Sequence, residues 1–293
     1  MPRAGVGAGT VVVVGAALLE LRFAVDRLPR SGGDVLAHGF EVRVGGSAVN
    51  VARTLQTLGC SPLLVLHRGE GPFDRMVVRE LARLGLSVQG RRSRKPSGVT
   101  VTLVEPSGER SLVSALGAEG SVGAEDLPAD VRRARALYVS GYELIASPDL
   151  EAAVAALPSD VLVLLDPGPR GAWPGKLQAV WRRADVVRLN EAEAERRSGQ
   201  KGAATAAAAL GREANVVVST AEGAYVAQGG EVSAVAGGER VSRDTTGAGD
   251  AHAAGLLAGL TRGLELMAAT ALANRVARLQ VLGESVAGAM LGL

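Results

Sequence analysis

Asp244-Thr245-Thr246-Gly247-Ala248-Gly249-Asp250 runs without interruption into Ala251-His252-Ala253-Ala254-Gly255-Leu256-Leu257-Ala258-Gly259-Leu260. The second part reads as a helix of small residues. Ala251, Gly255 and Gly259 fall four apart on one face, so the backbone can pack very close to a sheet. Gly247 to Gly249 then form the first turn. Unpaired backbone N–H groups and the positive end of the helix dipole make that turn an anion site, suited to a phosphate or a transferring phosphoryl group. Asp250 stands beside the anion. As a plain helix cap it would contribute about 1 kcal/mol and be structural; as a general base it would take the proton from an attacking hydroxyl. Spacing alone leaves both roles open.

Other phosphate motifs are missing. Gly175-Lys176 is followed by Leu177 and lacks the glycine that a P-loop requires. Gly5-Val6-Gly7-Ala8-Gly9 precedes the first apolar run instead of following it, which speaks against a dinucleotide-binding dehydrogenase. Outward from the quoted stretch, short apolar runs recur at Val11–Val14, Leu63–Leu66, Val99–Val104, Leu137–Val139, Val161–Leu165, Val186–Leu189 and Val216–Val218. Most read as buried strands. Helical patterns lie between many of them, at Ala48–Leu58, Asp74–Leu84, Ala152–Leu157, Leu177–Arg183 and Glu191–Ser198. This alternation predicts an α/β fold whose mostly parallel central sheet is covered on both faces.

Two stretches break the rhythm. Residues from about 20 to 45 and from about 97 to 118 carry alternating patterns, such as Phe40-Glu41-Val42-Arg43-Val44, with turn residues such as Pro106-Ser107-Gly108 between them. They read either as a small β-sheet lid inserted in one α/β body spanning residues 1–293, or as ordinary surface hairpins. Ligands of an open parallel sheet bind beyond the carboxyl ends of its strands. Four such ends carry polar groups here: Ser140-Gly141-Tyr142, Asp166-Pro167-Gly168, Asn190-Glu191-Ala192-Glu193 and Ser219-Thr220. Asn190 and Glu193 suit a helix N-cap with an acidic first turn as well as a ligand site.

With 47% hydrophobic residues among 293, the chain can bury a large core and is no linker. Its net charge of +2 does not imply a nucleic-acid partner, because the excess of cations is small and the arginines are spread along the whole chain. Cys60 is the single cysteine, so no intrachain disulfide forms, and the expected location is cytoplasmic. His38, His67 and His252 lie far apart, with no zinc-ligand spacing. Val11–Leu19 reads as a buried strand and not as a signal segment, since Glu20-Leu21-Arg22 follows it. No apolar run is long enough to span a membrane.

Gly45-Gly46-Ser47-Ala48-Val49-Asn50-Val51-Ala52 and Asp244 to Asp250 stand about 200 residues apart. In both signatures, their order and their length, the chain resembles the ribokinase-like (PfkB) family of carbohydrate and nucleoside kinases. The resemblance implies a Rossmann-like αβα body with a small β lid, binding of ATP with Mg²⁺, and phosphorylation of a primary hydroxyl of a sugar or nucleoside. Asp250 matches the family's base. Gly247, Ala248 and Gly249 match its anion hole, whose amides stabilise charge developing on the γ-phosphoryl oxygens. The resemblance further places Asn190, Ser219, Gly223, Thr246, Gly247, Gly249 and Asn274 at the nucleotide. Asn190 and Glu193 match a motif that holds Mg²⁺ largely through water. Acceptor contacts fall on Glu20, Gly45, Gly46, Asn50, Tyr142 and Asp250.

The chain also departs from the family pattern. Glu20 stands where an Asp is usual, one methylene longer, and Thr220 replaces a glycine in Ser219-Thr220-Ala221-Glu222-Gly223. Asp244 matches a ligand of the monovalent cation, K⁺, that many members bind, but Val281-Leu282-Gly283-Glu284-Ser285 lacks the usual Arg-Pro-Gly pattern. His252 replaces a usual Phe and reads as a core histidine. The expected activity is that of an ATP-dependent kinase. Its rival is a catalytically silent sugar- or nucleotide-binding sensor of the same fold, which the departures at Glu20 and Thr220 favour and the intact Asp250 opposes. A homodimer through the lid is expected from its exposed strand edges.

Overall fold

In the computed structural model, which describes residues 6–238 and 247–290, the apolar runs become strands and the segments between them helices. In chain order the strands are β1 (Thr10–Val14), β2 (Leu18–Ala24), β3 (Gly39–Gly45), β4 (Ser61–Val65), β5 (Arg68–Glu70), β6 (Ser87–Gln89), β7 (Arg92–Pro96) and β8 (Val99–Val104). They continue as β9 (Arg110–Ala115), β10 (Ala136–Ser140), β11 (Leu162–Asp166), β12 (Val186–Asn190), β13 (Val216–Ser219), β14 (Gly223–Gln228) and β15 (Glu231–Ala236). The helices are α1 (Ser47–Thr57), α2 (Pro72–Arg83), α3 (Gly141–Ala146), α4 (Pro148–Ala155) and α5 (Gly168–Gly171). After them come α6 (Gln178–Arg183), α7 (Glu191–Ser198), α8 (Ala203–Leu210), α9 (Ala248–Leu260) and α10 (Leu266–Leu282).

Nine strands form one sheet in the order β15-β14-β13-β12-β11-β10-β1-β4-β6. It is parallel from β6 to β13 and antiparallel at β14 and β15. Strand alternation sends Val11 and Val13 to one core and Val12 and Val14 to the other. The first core gathers residues of α1, α9 and α10; the second gathers Leu150, Trp181 and Leu210 from the helices on the opposite face. Each such Leu or Val contributes roughly 1.5–3 kcal/mol of transfer free energy when fully buried.

The small-residue face of α9 goes elsewhere than expected. It meets α10 and not the sheet: a Cβ on Gly255 would lie 2.8 Å from Ala273 Cα, and one on Gly259 would lie 2.9 Å from Ala269 Cβ. Sequence gave the need for a close neighbour but not which neighbour. The helix α10, which ends on the left-handed Gly283, is not among the helical patterns read from the sequence.

The two alternating stretches meet in a second, four-stranded sheet of order β3-β2-β8-β9. Parallel pairing of Glu20 with Thr100 and Thr102 with Arg22 joins excursions that lie about eighty residues apart. One face carries Glu20, Arg22, Thr100 and Thr102; the other carries Leu21, Phe23, Phe40, Val42 and Val113. Phe23 and Phe40 stack at 4.9 Å between ring centroids, yet Phe40 is 61% and Val113 71% exposed.

Candidate active site

Parallel register carries the polar strand ends to one edge. Ser140 is level with Asp166 across β10 and β11, and Asn190 with Ser219 across β12 and β13. Chain order along the sheet reverses at β1, the place where an open α/β sheet opens a crevice.

α9 begins at this edge. Its N-cap is Gly247 in the left-handed conformation (φ 77°), which a side chain would disfavour. Asp250 lies in the first turn, and its Oδ2 accepts a 2.8 Å hydrogen bond from Asn50 Nδ2 of α1. That bond joins the two sequence signatures across 200 residues, and the carboxylate turns to it instead of acting as the cap. Burial pushes the Asp250 carboxyl up to about 7, and the negative charge of Asp166 adds to the rise. The Asn50 hydrogen bond and the cations Arg188 and Arg53 oppose it. A carboxylate poised near neutrality is well matched to accept a hydroxyl proton.

The residues expected at the acceptor are held by a second set of contacts. Glu20 Oε1 accepts from Thr102 Oγ1 at 2.7 Å, and a Cβ on Gly45 would lie 3.5 Å from Glu20 Oε2. Gly46 caps α1 with φ 105°, and a Cβ there would run into the Ala16 carbonyl at 2.3 Å. The Tyr142 ring lies against Gly168, 44% exposed, at the ends of β10 and β11.

Sequence reasoning missed Arg188. It sits inside the apolar run of β12 and is 7% exposed. Its Nη1 donates to Asp166 Oδ2 at 3.3 Å and its Nη2 to Ser219 Oγ at 2.7 Å. The guanidinium also explains Gly249, whose missing Cβ would lie 3.0 Å from Nη1 and 3.1 Å from Nη2. Space at Gly249 is therefore taken by an arginine as well as left for an anion. One charge in a strand otherwise built of Val and Leu was the available signal.

Asn190 and Glu193 form a reciprocal capping box. Asn190 Oδ1 accepts from Glu193 N and Glu193 Oε2 from Asn190 N, both at 2.9 Å. The cap geometry is thus realised, and it fixes both side chains at the edge. Burial raises the Glu193 carboxyl, and Asp166 adds to the effect; burial raises Asp166 too, against the pull of Arg188. The donors here are all hard oxygens, the set Mg²⁺ prefers. Among the described residues no group of three or more His, Cys, Asp or Glu side chains is placed to hold a metal ion.

A cavity of about 1240 Å³ opens on this edge, lined by Arg188, Asn190, Ser219, Thr220, Gly223 and Gly249 among others. Ala248 and Asn274 also border it, and the β8–β9 turn forms its far wall. Thr220 N and Oγ1 both bond the Gly223 carbonyl, and Gly223 (φ 151°) has no room for a Cβ beside Val235. Asn274 faces the cavity with its amide already engaged. It donates to the carbonyls of Val235 and Ala236 and shares a 3.2 Å bond with His252. Burial pushes His252 down to about 3, so it is neutral. Asp244 and Thr246 lie outside the described residues.

The pfkB family carbohydrate kinase model matches residues 8–290. An uncharacterized sugar kinase, YegV, of Escherichia coli (strain K12) is 34% identical over 280 residues, covering 92% of this chain and 87% of that protein. A ribokinase of Mus musculus is 28% identical, covering 85% and 81%. Among solved structures, adenosine kinase from Sinorhizobium meliloti superposes with a TM-score of 0.81 at 22% identity over 97% and 98% of the two chains. Arabidopsis thaliana ribokinase, complexed with ribose and ATP, gives 0.76 at 22% over 98% and 96%. The chain belongs to the pfkB family of carbohydrate kinases. It has the ribokinase fold, and ATP binding follows from the family. No helix among the described residues is long and apolar enough to cross a membrane.

Proposed function

We propose that this kinase transfers the γ-phosphoryl group of MgATP to a primary hydroxyl of an unphosphorylated sugar or nucleoside, with Asp250 as the base. The observation that carries this reading is the Asn50–Asp250 hydrogen bond, which fixes at the first turn of α9 a carboxyl that burial has raised to about 7. The acceptor hydroxyl gives its proton to Asp250 as its oxygen bonds to γ-phosphorus. The bond to the β,γ-bridging oxygen breaks, and ADP leaves with that electron pair. The amides of Gly247, Ala248 and Gly249 face the oxygens on which charge gathers. Glu20, Asn50 and Asp250 offer acceptors and an amide, a set that suits hydroxyl groups.

Asn190, Glu193 and Asp166 would hold Mg²⁺ through water. When bound, the ion neutralises phosphate charge and orients the chain of phosphates. The small sheet serves as a lid that closes over the acceptor and excludes water. Its exposed apolar face supports pairing with a second copy, which light scattering would register as a doubled mass. K⁺ activation rests on Asp244 alone; equal rates in K⁺ and tetramethylammonium buffers would remove it. A free Cys60 thiol suits the cytoplasm.

The test is ADP release from MgATP against pentoses, hexoses, sugar phosphates and nucleosides, with Asp250→Asn in parallel. A substrate-dependent signal lost in the variant supports the kinase and identifies its acceptor class. Binding of ATP with no turnover on any acceptor would favour the silent sensor instead.

A further inference from the structure

β12 is an interior strand of the large sheet, and Val186, Val187 and Leu189 are buried within it. Arg188 shares that burial, and a charge so placed costs several kcal/mol unless its partners compensate. The compensation it receives is partial. Nη1 reaches Asp166 at 3.3 Å, a long contact for a charged pair, and Nη2 reaches the neutral Ser219. Among the described residues the buried Nε has no hydrogen-bond partner. An arginine kept only to neutralise Asp166 would gain most from a two-pronged pair, and this one does not form it.

Its placement points to another anion. Nη1, Nη2 and Cζ lie 3.0, 3.1 and 3.3 Å from where a Cβ on Gly249 would stand, so the guanidinium lies flat against the first turn of α9. Arg188 also lines the 1240 Å³ cavity together with Asn190 and Ser219. A cation, a helix N-terminus and a metal-suited edge thus converge on one spot, a few ångströms from Asp250's helical turn.

We propose that Arg188 binds the terminal phosphoryl group of the nucleotide, so that it distinguishes ATP from ADP and stabilises the charge spread over the transferring oxygens. The inference rests on the kinase reading above. Asp166 and Ser219 hold the side chain ready while no phosphate is present. Gly249 is glycine because the arginine must lie against it. During transfer Arg188 moves no proton; it donates N–H groups to oxygens that become more negative as the bridging bond breaks.

The test compares the affinities of the β,γ-imido ATP analogue and of ADP, by titration calorimetry, in the wild type, Arg188→Gln and Arg188→Lys, with kcat measured alongside. Arg188→Gln should weaken the analogue by about tenfold or more, leave ADP within about threefold, and lower kcat by about 10² to 10³. Arg188→Lys should recover part of the analogue's affinity, because the charge returns without the planar fork. Parallel weakening of analogue and ADP, or no change in either, would overturn the proposal. If Arg188→Gln does not fold, Arg188→Lys, which keeps the buried charge opposite Asp166 without the planar fork, is judged alone by the same affinity ratio. A wild type that binds nucleotide and turns over, while the variant keeps the wild-type ratio, defeats Arg188's role alone. A wild type that binds neither nucleotide defeats the kinase reading itself.

Discussion

The two ends of the cleft are built differently. At the acceptor end the polar groups are already paired with one another: Asn50 with Asp250 at 2.8 Å and Thr102 with Glu20 at 2.7 Å. At the proposed nucleotide end a cavity of about 1240 Å³ stands open beside a buried arginine whose Nε has no partner among the described residues. A paired network fixes the geometry in which a hydroxyl must arrive. An open pocket with a buried cation on its wall suits a phosphate group. The contrast teaches where rigidity and where binding energy are concentrated: orientation at the acceptor, electrostatic attraction at the phosphates.

Removing the base should break the acceptor end most severely. Asp250→Asn is expected to lower kcat by about 10² to 10⁴ while leaving affinity for the ATP analogue nearly unchanged, read by steady-state kinetics and calorimetry. An activity close to wild type would mean that another group takes the proton.

Asn50→Ala comes next, because it leaves Asp250 without its donor. A hydrogen bond to a charged group contributes about 1.5–3 kcal/mol, so kcat/KM for the acceptor should fall by about 10- to 100-fold. In the wild type, kcat/KM should rise with pH through about 7 as Asp250 loses its proton. The Asn50 bond lowers that pKa, so its loss must move the rising limb to higher pH. A limb that stays in place would separate Asn50 from the base.

Gly249→Ala sharpens the nucleotide end. The added Cβ would stand 3.0 Å from Arg188 and push the guanidinium aside. KM for ATP should rise by about tenfold with acceptor KM little changed, since the backbone at Gly249 needs no left-handed conformation. Equal rises in both constants would show that the whole turn had moved.

The smallest effect concerns stability. Glu143 is buried in α3 with Oε2 unpartnered, and burial pushes its carboxyl up to about 8, with Glu119 adding to the rise. The folded protein therefore keeps a proton that the unfolded chain releases near the ordinary value of 4.5. That contribution is complete below 4.5 and is lost as pH climbs toward 8. Melting temperature should fall across this window, and Glu143→Gln should flatten the fall. An unchanged slope would mean that Glu143 is solvated.

Much of this architecture was legible in the chain. Continuous apolar runs marked most of the strands from Val11 to Val218, and helical patterns many of the helices between them, because a buried parallel strand must be apolar on both sides. Of the two readings of the alternating stretches, a small second sheet or surface hairpins, the structure has the sheet, and the glycine turn before Asp250 stands at a helix start. The capping box of Asn190 and Glu193 was readable from its i, i+3 spacing. Arg188 was not read, because one residue carries no periodicity, and its meaning depends on Asp166 and Ser219, 22 and 31 positions away.

By itself the sequence determined what depends on local spacing: strands, helices, the glycine turn at Gly247 to Gly249 and the helix start that carries Asp250. Only the tertiary structure decided which partners those pieces meet. It turned the small-residue face of α9 onto α10 and put Arg188 against Gly249. It also joined Asn50 to Asp250, where burial among neighbouring charges moved a carboxyl's proton affinity to neutrality. Periodicity is encoded within a few residues, whereas burial and electrostatics are sums over everything the fold brings near.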